Sequence, residues 1–138
     1  MTVSSAIIKW LKTFNSEEYW RIKRIDTDLM HGDVDYALVK EPVRNVKSYL
    51  SGKKIITDHY MIVARLPSTT NDDCIDNSGF GEALEDWVAK QDKDKIFPQI
   101  PDATVLQISV TTPFYMGKTE TNKSIYQMTV AIKYEKER

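Results

Sequence analysis

The clearest signal in the chain is a long stretch of alternating residues from Ser51 to Leu66. A turn at Gly52 opens it, and an extended segment follows. Its apolar residues share one side: Ile56, Tyr60, Ile62, Ala64 and Leu66. The other side combines Met61 and Val63 with polar residues. Because successive side chains of a strand point to opposite faces, this pattern predicts the central strand of a sheet, with both faces in need of cover.

Two segments have the three- and four-residue spacing of apolar positions that is typical of amphipathic helices. The first is Val3 to Phe14, with Ser4 or Ser5 as its N-cap. The second runs from about Ser78 to Asp92, although Gly81 weakens its first turns. The pattern therefore predicts one helix before the central strand and one after it.

Six segments have strand character. They are Trp20 to Ile25, Val34 to Val39, Val43 to Leu50, the central strand, Thr104 to Thr112 and Ser124 to Glu135. Pro42 separates the second from the third, because proline cannot donate to a strand ladder. Loops are expected at Pro67 to Asn77 and at Pro113 to Lys123. The order predicts an α+β fold with two layers, in which two helices pack on one face of a mostly antiparallel sheet of about six strands.

Length and composition place few limits on function. The 138 residues fit a single domain, 1–138, and 41% hydrophobic with 28% charged residues is typical of a globular chain. No apolar run approaches the roughly 20 residues that span a bilayer, and no signal-peptide pattern opens the chain. The single cysteine, Cys74, cannot form an internal disulfide, which favours a reducing cytoplasm.

Charge is unevenly distributed along the chain. Residues 1–65 contain 11 Lys or Arg against 8 Asp or Glu, residues 66–112 contain 3 against 9, and residues 113–138 contain 5 against 3. An acidic middle between basic flanks is explained either by solvated faces or by charge complementarity between neighbouring subunits. In the second case Lys53 and Lys54, and Asp72 and Asp73, are the candidate interface charges.

Residue chemistry gives little sign of catalysis. His31 and His59 are the only histidines, so a histidine-rich metal cluster is excluded, and the acidic neighbours of Cys74 raise a thiol pKa. We therefore predict no catalytic residues, no metal and no cofactor. One alternative stays open, a small acid/base or metal-dependent enzyme, because two carboxylate pairs each share a strand face. These are Asp26 with Asp28 and Asp33 with Asp35.

The loop expected at Pro113 to Lys123 is a candidate protein-binding segment. Eleven residues are long for a hairpin loop, and long loops tend to be functional. It contains Phe114, Tyr115 and Met116 beside Lys118, and aromatic residues and Met are enriched at interface cores. The alternative is that Phe114 and Tyr115 pack back onto the sheet.

Read in order, several segments resemble the minor capsid or tail-terminator proteins of the head–tail joining region of tailed phages and prophages of Gram-positive bacteria. These segments are Ile8-Lys9-Trp10-Leu11, Ser51-Gly52-Lys53-Lys54, Tyr60 to Leu66, Asn77-Ser78-Gly79-Phe80, Leu84 to Val88, and Tyr126-Gln127-Met128 running to Ile132-Lys133-Tyr134-Glu135. Their order and spacing carry the likeness, which covers nearly the whole chain. Gly81 departs from it at the start of the second helix.

The resemblance implies a structural virion protein without enzymatic activity. A tail terminator stops growth of the tail tube, forms a hexameric ring on it and joins it to the head connector. The implied partners are other copies of the chain, the major tail tube protein and the head connector or stopper protein, with no membrane and no sequence-specific nucleic acid. The implied locations are the head–tail junction of the virion and the host cytoplasm during assembly. The alternative within the same virion is a head-completion or minor capsid protein.

Overall fold

Seven helices and strands follow one another in the part of the chain that the structure describes. The computed structural model describes residues 2–14, 25–27, 35–67, 71–120 and 123–137. The elements are α1 (Val3–Leu11), β1 (Ile25–Thr27), β2 (Asp35–Ser48), β3 (Lys53–Pro67), α2 (Asn71–Lys93), β4 (Ala103–Glu120) and β5 (Lys123–Glu137). The strand order in the sheet is β1-β2-β3-β5-β4. Four long strands pair antiparallel, and the short β1 adds to β2 in parallel. The predicted α+β class and the mostly antiparallel sheet are confirmed.

The expected central strand is β3, which pairs with β5 over its whole length. All five of its predicted core residues are buried. They join residues of both helices in one hydrophobic core. The helices also contact each other, since the rings of Trp10 and Trp87 lie 4.6 Å apart. Phe14, just after α1, meets Phe80 of α2 with ring centroids 5.9 Å apart. The core thus lies between one sheet face and the two helices.

The prediction of about six strands is wrong for the described residues, which contain five. The two strands expected on either side of Pro42 are one strand, β2. Its register against β3 shifts between Lys40 and Arg44. The other neighbour, β1, pairs only with residues 36–38, so Pro42 lies where β2 is an edge strand. An edge strand with a bulge tolerates the missing N–H of proline, and the strand continues through it. Most of the strand expected from Trp20 to Ile25 lies outside the described residues. The described strand in this part of the chain is β1, Ile25–Thr27.

The helix boundaries also differ from expectation. α1 ends at Leu11 rather than Phe14, and its N-cap is Thr2 rather than Ser4 or Ser5. Thr2 and Ser5 form a capping box, in which each side chain accepts from the other's backbone N–H. α2 begins at Asn71, seven residues before the expected start, within the segment expected to be a loop.

The loop expected at Pro113 to Lys123 is almost entirely strand. β4 continues to Glu120 and β5 starts at Lys123. The register against β5 shifts at four places along β4, one of them between Thr112 and Tyr115. That irregularity accommodates Pro113, because a bulge leaves a residue outside the ladder. The expectation of a loop was therefore wrong, and the apolar residues of this segment lie on a hairpin strand.

Candidate functional site

Phe114 anchors the distal part of the β4–β5 hairpin to the core. Its ring stacks on Tyr126 with centroids 5.1 Å apart and planes 6° apart, and it meets Phe80 of α2 edge to face at 5.8 Å. Its backbone N–H donates to Oε1 of Glu85, at an N to O distance of 2.6 Å. The alternative that the aromatic residues pack back onto the sheet therefore holds for Phe114, and Phe114 itself is not an exposed anchor.

A glycine makes this close packing of α2 on β4 possible. A Cβ atom at Gly81 would overlap Cδ2 of Phe114, and it would lie 2.6 Å from Cγ and 2.9 Å from Cβ of that residue. Real side chains do not approach so closely, so Phe114 occupies the space that any larger residue at 81 would need. Gly81 has a low helix propensity, but its lack of a side chain leaves the space that the Phe114 ring occupies.

Tyr115 and Met116 remain exposed beside this anchor. Their exposed fractions are 46% and 53%. The Tyr115 hydroxyl donates to Oε1 of Gln127 on β5 at 2.6 Å, which orients the ring on the surface. Lys118 is exposed a little further along β4 and lies opposite Ile125. The structure therefore brings three of the four predicted interface residues of this segment to the surface of one hairpin.

The charged residues predicted at an interface are placed less completely. Lys53 and Lys54 begin β3 at the tip of the β2–β3 hairpin. Lys53 forms an ion pair with Glu135 of the same chain at 2.7 Å, and Lys54 is exposed. Asp72 and Asp73 lie in the first turn of α2, and their side chains fall outside the described residues. Of the four charged residues, the structure therefore describes the side chains of Lys53 and Lys54 only.

The carboxylates of the enzyme alternative are only partly within the described ranges. Asp26 lies in β1, with Ala37 as its partner in register, and Asp35 begins β2 opposite Arg65. Their side chains, and the whole of Asp28 and Asp33, lie outside the described residues. Within the described part of the chain, no group of three or more His, Cys, Asp or Glu side chains is placed to hold a metal ion. His59 is half-buried on β3, while His31 lies outside these ranges.

A buried ionic network was not predicted. Asp58 of β3 is fully buried on the core side of the sheet. Both of its carboxylate oxygens accept from Arg44 of β2, at 2.6 Å from Nε and 3.0 Å from Nη2, and one also accepts from the Tyr134 hydroxyl at 2.8 Å. The signal was available in sequence, because Asp58 occupies the same alternating register as Ile56 and Tyr60. A charge in a core register indicates a buried partner.

The pKa directions in this network favour a fixed arrangement of charge. Burial alone would raise the pKa of Asp58, but the hydrogen bonds from Arg44 and Tyr134 outweigh it and hold that pKa below its usual value. Burial and the hydrogen bond to Asp58 raise the pKa of Tyr134. Asp58 therefore stays ionised and Tyr134 protonated around neutral pH. Such a network holds β2, β3 and β5 together instead of exchanging protons.

Comparison with known proteins adds no relative. No protein-family model matches the sequence, and no characterised protein matches it significantly. No helix in the ranges that the structure describes is long and apolar enough to cross a membrane. The interpretation of function therefore depends on the surfaces themselves and on the resemblance stated above.

Proposed function

We propose that this chain is a structural virion protein, a phage tail terminator. In this proposal it caps the finished tail tube as a hexameric ring and joins the tube to the head connector. Its partners are other copies of itself, the major tail tube protein and the connector or stopper protein. It acts at the head–tail junction, after assembly in the host cytoplasm.

The observation that carries the proposal is the exposure of Tyr115 and Met116, which lie on the two faces of a firmly anchored edge strand. Singly exposed apolar residues are common at protein surfaces, but aromatic residues and Met are enriched at the centres of interfaces. The adjacent Phe114 is held by two aromatic rings and by Glu85, so the pair is presented with little loss of conformational freedom on binding. This arrangement favours a protein-binding role.

The resemblance supplies the identity of the partners. Its segments form much of the observed core. Tyr60 to Leu66 lies in β3, Leu84 to Val88 in α2 and Tyr126 to Glu135 in β5. In a tail terminator, the exposed residues on the β4–β5 hairpin would meet a neighbouring subunit or the tail tube.

The double substitution Tyr115→Ala with Met116→Ala tests the proposal. We expect the purified variant to melt close to the wild-type temperature, because both residues are about half exposed and Phe114 is unchanged. In a lysate of the phage or prophage that encodes the chain, electron microscopy should show overlong or headless tails. Ile96→Ala is the matched control, since Ile96 is as exposed as Met116 at 53% but lies outside this hairpin. Normal particles from the double variant would overturn the assignment of this surface.

A further inference from the structure

Exposed apolar residues are also concentrated in the distal half of the β2–β3 hairpin. Four large side chains there are exposed: Val43 at 48%, Val46 at 50%, Tyr49 at 41% and Leu50 at 110%. Leu50 is in the turn between the strands and is as exposed as the residue can be. Four large exposed apolar residues within eight positions indicate a candidate interaction segment. We call residues 43–54 the hairpin tip.

The hairpin tip is also basic. It contains Arg44, Lys47, Lys53 and Lys54 and no acidic residue. Arg44 and Lys53 form ion pairs within the chain. Lys47 lies 5.6 Å from the centre of the Tyr49 ring, and Lys54 is exposed. Two identical tips would therefore repel each other, so a partner surface should be acidic as well as apolar.

The same chain has such a surface at the opposite edge of the sheet. A groove of about 360 Å³ lies between α2 and β4. Its lining includes Glu85, Asp86 and Asp92 from α2, around apolar Ala89, Ile108 and Pro113. We call it the acidic groove. Glu85 and Asp92 already accept from the backbone N–H groups of Phe114 and Ile108, so they also close this edge of the sheet. Asp86 is exposed at the rim.

We propose that the hairpin tip of one copy docks in the acidic groove of the next copy. Leu50 would enter the apolar floor near Ala89, while Lys47 and Lys54 would face Asp86 and its acidic neighbours. The groove is large enough for an apolar side chain of this size, being comparable with small ligand pockets. Nucleic acid is a poorer match, because the fully exposed residue in the turn, Leu50, is aliphatic and carries no charge.

The geometry makes this contact heterologous. The tip belongs to strands β2 and β3, whereas the groove is built on β4 at the opposite edge of the sheet, with β5 in between. Each copy would use one surface toward one neighbour and the other surface toward the second neighbour. Such contacts close into a ring when the rotation between copies suits. This inference rests on the proposed ring and names the surfaces that form it.

Cysteine cross-linking tests the contact directly. The single cysteine is first removed by Cys74→Ser. One protein then receives Leu50→Cys and a second receives Ala89→Cys, and the two are mixed under mild oxidation, both purified and in lysates that assemble tails. We expect the mixed dimer to exceed either homodimer. It should also exceed the product of Leu50→Cys with Lys133→Cys by about tenfold or more, since docking raises the local concentration of the thiols. Lys133 is an exposed control on β5, and it points to the opposite face of the sheet from its buried neighbours Ile132 and Tyr134.

Further outcomes decide between this contact and its alternatives. Asp86→Lys in the groove protein should reduce the mixed dimer severalfold, because it places a cation opposite Lys47 and Lys54. A dominant Leu50→Cys homodimer, or no mixed dimer in either setting, would overturn the inference. So would salt-sensitive binding of a DNA fragment that Lys54→Glu abolishes while no cross-link forms. Overlong tails after loss of the gene, together with no cross-link, would refute this contact and leave the terminator proposal standing. A cross-link together with tails of normal length would refute the terminator proposal and leave this contact standing.

Discussion

Replacement of Gly81 by Ala should destabilise the protein, although Ala is the better helix former. By intrinsic propensity alone, the change would stabilise α2 by about 1 kcal/mol. The new Cβ, however, would lie 2.6 Å from Cγ of Phe114 and 2.9 Å from its Cβ. The nearest atoms include the base of the side chain, so rotation of the ring alone cannot relieve the overlap.

The magnitude follows from what Phe114 must give up. Overpacking of a core costs typically about 1–3 kcal/mol. Displacement of Phe114 also weakens its stacking on Tyr126, which is worth about 0.5–1.5 kcal/mol. Set against the gain in propensity, the free energy of unfolding should fall by about 1–2 kcal/mol. For a chain of this length the melting temperature should then drop by about 3–10 °C.

A double-mutant cycle isolates the cause. Unfolding in urea would be followed by tryptophan fluorescence, since Trp10 and Trp87 contact each other in the core. In a Phe114→Ala background the contacts to the ring atoms Cδ2 and Cγ are gone and only the 2.9 Å contact to Cβ remains, so Gly81→Ala should be clearly less destabilising there than in the wild-type protein. The reasoning fails if Gly81→Ala stabilises the wild-type protein, or if it destabilises both backgrounds equally.

Two further changes test the packing of α2 and the buried network. Trp87→Ala should lower the free energy of unfolding by about 2–3 kcal/mol. This is less than for a fully buried Trp, because the Trp87 ring is only partly buried against Trp10. An unchanged melting temperature would show that the apolar face of α2 is misassigned. Arg44→Ala should lower the free energy of unfolding by about 1–3 kcal/mol, because the buried Asp58 carboxylate keeps its hydrogen bond from Tyr134 but loses both bonds from Arg44. The loss is limited because the Arg44 side chain is itself 45% exposed. Because the folded pKa of Asp58 lies below its unfolded value, the pair stabilises fully above about pH 4 and less as the pH falls through the folded pKa. Stability curves of wild type and Arg44→Ala should therefore converge in acid, and a constant difference down to low pH would contradict this role.

Local pattern was sufficient for the central strand and for the α+β class. Every apolar residue assigned to the core side of β3 is buried, because period-two alternation reports directly on the faces of a sheet. The same alternation contained Asp58, but its partner Arg44 lies on another strand. Pairing across strands depends on register, which the alternation of one strand does not specify.

Other features depended on contacts that are distant in sequence. The loop was expected at Pro113 to Lys123 because this segment lies between two alternating segments, Thr104 to Thr112 and Ser124 to Glu135, yet a bulge on an edge strand accommodates Pro113 and the strand continues. Phe114 lies inside because Gly81, 33 positions earlier, leaves room for it. The early start of α2 at Asn71 was not predicted, because the apolar residues with helical spacing begin only at Phe80. In each case tertiary packing or local bulging overrode a sound local preference.

The measurement that tests the central claim most directly is the length distribution of tails assembled without this chain. The gene would be deleted from the phage or prophage that encodes it, and tails in the induced lysate would be measured by electron microscopy, with a wild-type copy supplied in trans as the control. If the chain terminates tail growth, tails should become overlong and lack heads, and the wild-type copy should restore uniform, joined particles. Tails of normal, uniform length in the deletion lysate would contradict the account.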